Sequence, residues 1–147
     1  MKSVFDLPVR DELIERISTL NDSSRPQWGK MTVYQMLKHC TLWEEMLTGK
    51  QSYKRALIGR LFGKIALKQV LNDDKPLQRN APTIPQLKIK GTGGAIPERN
   101  KWITLIRDYE HFANADFVHP FFGKMTRDQI GHFSYKHTDH HLRQFNS

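Results

Sequence analysis

An eight-residue segment occurs twice, and it marks where two helices must begin. Residues 28–35 read Trp-Gly-Lys-Met-Thr-Val-Tyr-Gln and residues 122–129 read Phe-Gly-Lys-Met-Thr-Arg-Asp-Gln. Both contain Thr-x-x-Gln, the capping box in which the threonine hydroxyl accepts the N3 amide and the glutamine reaches back to the cap amide. Both also set a methionine before the cap and an apolar residue at N4, Met31 with Met36 and Met125 with Ile130, at the spacing of a hydrophobic staple. Thr32 and Thr126 therefore start helices by the same local chemistry. Apolar residues at helical spacing extend them over 33–48, closed by Gly49, and over 127–145. The same period predicts helices over 9–20, 53–70 and 98–115, and no stretch alternates convincingly with period two. The expected class is all-α: a bundle of four main helices with an inserted one.

A chain of 147 residues fits one domain, 1–147, and no apolar run approaches the roughly 20 residues of a membrane span. Asp6 and Pro8 interrupt the N-terminus before a signal-peptide core can form. A lone cysteine, Cys40, has no internal disulfide partner and reads as a buried thiol. A cytoplasmic protein without a membrane partner is expected. Charge is unevenly placed. Residues 50–101 hold 12 basic residues against Asp73, Asp74 and Glu98, whereas the remainder is nearly balanced. In the inserted helix, Leu57, Leu61, Ile65 and Ala66 are expected on one face with Ile58 and Phe62. Arg60, Lys64 and Lys68 form an i, i+4 stripe opposite, a candidate anion-binding surface. Residues 71–97, rich in Pro and Gly, are expected to be a lid, a wrapping loop or a locally disordered stretch. The Gly91-Thr-Gly-Gly run lacks the Lys-Ser/Thr and the strand of a phosphate loop.

Seven histidines are present, four of them between His132 and His141. His137 and His141 lie one helical turn apart on one face, and Ile130, Phe133 and Gln144 share their stripe, so the pair points inward. His39 has a similar setting among Met36, Trp43 and Met46. A core histidine is commonly a hydrogen-bonded packing residue, and that reading stands beside the metal one. Three inward imidazoles, however, each need a partner, and one divalent ion satisfies all three while leaving a coordination position open for chemistry. His140 falls on the flank of the stripe, placed either behind the ligand imidazoles or at the surface. Asp139 and Glu44 are polar neighbours suited to orienting an imidazole. Gln35 is a cap residue first and a second-shell candidate next. His132 should face solvent. His111 and His119 have no evident partner, with His119-Pro120 reading as a turn.

An early helix with Gln35 and His39, followed by a late His137-x-x-x-His141-x-x-Gln144, resembles the DinB/YfiT-like superfamily. The closing runs His-Pro-Phe-Phe-Gly-Lys-Met-Thr and Tyr-Lys-His-Thr-Asp-His-His-Leu-Arg-Gln-Phe look like one bacterial subfamily of it. The resemblance spans about Trp28 to Phe145. It implies an up-down-down-up four-helix bundle, often a homodimer, with a divalent metal, nickel or zinc, on His39, His137 and His141. It also implies thiol-dependent S-transfer, with a low-molecular-weight thiol such as bacillithiol, or hydrolysis of a small molecule. The basic insertion 50–97 departs from the minimal pattern. The alternative is a non-catalytic bundle that binds anions or nucleic acid through Arg60, Lys64 and Lys68, with a structural or vestigial metal. Nucleic acid ranks lower, because no aromatic residues interleave the basic face and no nucleic-acid motif is present.

Overall fold

The computed structural model describes residues 1–114 and 116–147. Among the described residues five α-helices form: α1 (Leu7–Ser18), α2 (Val33–Leu47), α3 (Leu57–Val70), α4 (Ala95–Arg107) and α5 (Arg127–Gln144). Both capping boxes are made in full. Thr32 and Thr126 each accept the amide of the glutamine three residues on, and each donates its own amide to that glutamine's Oε1, at 3.2 and 3.0 Å in both cases. Gly49, at φ +81°, takes the left-handed conformation that ends α2. Helix α4 begins at Ala95, three residues before the expected start, because Asp22 Oδ1 caps its first amide across the fold at 2.7 Å. Pro97 is tolerated there, since amides in a first turn have no acceptor within the helix.

Helix α1 packs on α4 and α5, and α2 packs on the same two helices, so these four surround one core. Leu13 and Ile17, Met36 and Leu37, Trp102 and Ile106 are buried in it. After α4 a 3₁₀ turn, Asp108–His111, replaces the continuation of the helix towards residue 115. The all-α expectation needs one addition. A two-residue antiparallel hairpin, β1 (Val118–His119) with β2 (Gly123–Lys124), stands where a bare turn was read at His119-Pro120.

Helix α3 has the expected apolar face, but the basic stripe does not oppose it. Its apolar ridge does not face the core: Leu57, Ile58, Leu61, Phe62 and Ile65 are all exposed. The buried face is Gly59, Gly63 and Leu67. The two glycines let the helix backbone touch the backbone at Phe121, and a methyl group on either would overlap the Phe121 carbonyl. The basic stripe borders the exposed ridge instead of opposing it, and Lys64 Nζ donates to the Lys124 carbonyl. Gly63→Ala should therefore lift α3 from the hairpin, at a cost of about 1–3 kcal/mol. Urea unfolding would measure this, and faster amide exchange confined to α3 and the hairpin would locate it.

Between α3 and α4 the chain makes a 3₁₀ turn, Pro85–Leu87, whose Leu87 side chain is buried. The end of α3 and the residues just after it are fastened to α5 by Lys136, buried, whose Nζ donates to the carbonyls of Val70 (2.7 Å) and Asp73 (2.9 Å). No helix among the described residues is long and apolar enough to cross a membrane.

Candidate metal centre

His39 lies on the second turn of α2, and His137 and His141 lie one turn apart on α5. The packing of the two helices brings the three rings together in the core, where they are 4–8% exposed. One nitrogen from each ring falls within 4.8 Å of the other two, a group able to hold a metal ion. Burial is the first cause that pushes all three imidazole pKa values below the ordinary histidine value, and the neighbouring imidazoles push in the same direction. The rings are thus held neutral, the form that binds metals.

The hydrogen bonds around the site determine which nitrogens face inward. His39 Nδ1 donates to the Leu87 carbonyl at 2.9 Å, so its Nε2 carries a lone pair. His141 Nδ1 donates to Gln144 Oε1 at 2.9 Å. The Gln144 amide cannot be reversed, because its Nε2 donates to the Trp28 carbonyl, also at 2.9 Å. His141 therefore also presents a bare Nε2. His137 Nε2 lies 3.1 Å from His39 Nε2, and its buried Nδ1 has no partner among the described residues. Its ring stacks on Trp43, 4.4 Å between centroids.

Three imidazoles so arranged turn more lone pairs than protons toward one another. His39 and His141 have both placed their proton outward, and His137 can offer its single proton to only one of them. A cation resolves that deficit. Two imidazole nitrogens bound at about 2.1 Å to one ion, with bond angles between octahedral and tetrahedral, stand about 3.0–3.4 Å apart. The 3.1 Å contact lies in that interval. The donor set thus fits a divalent metal, with three imidazoles and carbonyl oxygens behind two of them.

The other expected site residues are placed as follows. The His140 ring meets His141 edge-on at 5.1 Å and Trp28 at 5.7 Å. It lines an open cleft of about 700 Å³ with Trp28, Leu77, Arg79 and Arg143. The Asp139 carboxylate does not orient an imidazole: it accepts from Arg16 (2.9 Å) and Arg143 (2.7 Å) and ties α5 to α1. Glu44 likewise points elsewhere, accepting from Tyr109 Oη at 2.5 Å and from Ser134 Oγ. Gln35 completes its capping box and donates to the Gly91 carbonyl, at the edge of the long loop. Arg60 and Lys68 lie exposed on α3 with Lys64, away from the imidazoles.

Sequence reasoning missed three contributors. The Leu87 carbonyl is a main-chain group, which no residue type announces. Gln144 was visible on the histidine stripe, yet its bond to Trp28 depends on the tertiary fold. His119, which had no evident partner, is buried beside Trp43 and Phe122. Its Nδ1 accepts from the amides of Phe121 and Phe122, closing the hairpin turn, and burial lowers its pKa to about 3. It thereby braces the indole that packs on His137.

Residues 2–147 match the model of a family described as Protein of unknown function (DUF1569). The chain belongs to that family. No curated protein and no solved structure matches it.

Proposed function

We propose that the protein is a divalent-metal-dependent enzyme of the DinB/YfiT-like type, built on an up-down-down-up bundle. It acts on a small molecule by thiol-dependent S-transfer or by hydrolysis. The observation that carries this reading is the convergence of three buried imidazole nitrogens, two with their lone pairs aimed inward by a carbonyl behind the ring. His39, His137 and His141 would hold nickel or zinc. Three protein ligands leave a position free, the arrangement of catalytic and not of structural sites. A bound divalent ion lowers the pKa of a thiol or water and so supplies a nucleophile near neutral pH.

The chain's own residues do the rest. The Leu87 carbonyl and Gln144 hold two rings in register, and Trp43 covers His137 and keeps water from its face. In the neighbouring cleft, the Arg79 guanidinium lies 4.2 Å over the Trp28 ring, with His140 and Arg143 close by. This lining suits an anionic group, such as a carboxylate of the substrate or of a thiol like bacillithiol. Pro76, Leu77 and Arg79 bring the long loop to the cleft wall, consistent with a covering role.

The test is to strip the protein with a chelator, reload it with nickel, zinc, manganese or iron, and assay thiol transfer to electrophiles and ester hydrolysis. Metal-dependent turnover that disappears in His39→Ala is expected. Failure to take up any of the four ions overturns the reading. The orienting residue gives a graded check. Gln144→Leu should weaken metal binding about 10–100-fold without abolishing it, read by competition with a chromogenic chelator.

A further inference from the structure

The outer face of α3 is apolar and bare. Leu57, Ile58, Leu61, Phe62 and Ile65 are 55–78% exposed. At about 100° per residue they span an arc of roughly 140°, centred opposite the Gly59, Gly63 and Leu67 face by which the helix rests on the body. Isolated exposed apolar residues need no explanation, but five large ones joined on one helix mark an interaction surface. Arg60, Lys64 and Lys68 run along one border of this arc. Residues 50–72 contain six Lys or Arg and no Asp or Glu.

We propose that α3 is an interfacial anchor that lays this ridge into the headgroup region of an anionic lipid bilayer, without crossing it. Charge selects this occupant. A second copy docked through the same face would set two acid-free segments of six cations against each other, whereas an anionic leaflet is the complementary surface. The pattern agrees. Apolar side chains form the centre of the exposed face, and long basic side chains stand at its edge, where they can extend to phosphates while their stems stay in the apolar layer. The body attaches through the opposite face of α3, by way of the hairpin, so docking requires no rearrangement of the four packed helices. The inference is independent of the metal centre, and a homodimer formed through another face is compatible with it.

The experiment is flotation of the full chain with vesicles of phosphatidylcholine alone, or with about one third phosphatidylglycerol. Binding to the anionic vesicles should exceed binding to the neutral ones by at least about ten-fold and fall steeply as salt is raised. The double variant Leu61→Glu, Phe62→Glu changes only exposed positions, so it should melt like wild type and lose at least about ten-fold in binding. Arg60→Gln with Lys68→Gln should erase the preference for anionic lipid. The proposal is overturned if wild type does not float with anionic vesicles, or if the Glu variant floats equally well. It is also overturned if sedimentation velocity shows a concentration-dependent dimer that the Glu variant dissolves.

Discussion

His137→Ala is expected to abolish the proposed stoichiometric binding of nickel or zinc, a loss greater than the 10–100-fold expected from removing an orienting residue. His137 shares the 3.1 Å nitrogen contact with His39 and stands beside His141, with ring centroids 4.7 Å apart. Without it, His39 and His141 provide two lone pairs and no third. Calorimetric titration of the metal-free protein measures the change. The variant also leaves space beside Trp43, so the melting curve is recorded alongside, and His137→Gln, which fills more of that space, serves as the second variant. A folded His137→Ala protein that binds either ion as tightly as wild type would place the centre elsewhere.

Glu44→Gln stabilises the protein above neutral pH. The Glu44 carboxyl is fully buried between Tyr109 and Ser134, and burial raises its pKa from 4.5 to about 7 against the lowering effect of those hydrogen bonds. The Trp102 indole N–H approaches the same carboxyl but lies outside hydrogen-bond geometry. Between the two pKa values the folded state binds a proton that the unfolded state has released, so stability falls as pH rises through the interval and the loss is complete above about 7. A shift of this size corresponds to about 3 kcal/mol. Glutamine keeps an acceptor for Tyr109 and carries no charge. The variant should therefore gain about 1–3 kcal/mol over wild type at pH 8 and almost nothing at pH 4.5. The lowered pKa values of His39, His137 and His141 act in the opposite sense, weakening the fold as pH falls below the ordinary histidine value. They are common to both proteins and cancel in the difference. Denaturant unfolding across pH reads it, and a wild-type-minus-variant difference that does not vary with pH would remove the argument.

The helices and the histidine cluster were legible in the sequence because both depend on short-range spacing. Thr-x-x-Gln sets a helix start within four residues, and His137 and His141 share a face whatever they pack against. Helix α3 shows the complementary limit. Periodicity identifies an apolar face but not which side touches the body, and here two glycines outcompete five large apolar residues by permitting backbone contact with Phe121. Asp139 and Glu44 show the same limit for polar groups. Each lies near the histidines in sequence or on a neighbouring turn, yet their partners Arg16, Tyr109 and Ser134 come from other elements. His119 could not be paired by spacing, since its hydrogen bonds go to amides of a turn that exists only once the hairpin forms.

The anchor of His39 is a peptide oxygen and not a side chain. Almost any residue type at position 87 offers the same atom, so substitution there can leave the chemistry untouched while disturbing only packing. What has to be inherited is the path of the chain through Pro85–Leu87, and with it loop length and proline placement. Among relatives, an insertion or deletion in this connector would detune the centre more than an exchange of amino acids, and a comparison of aligned residue identities would pass over it.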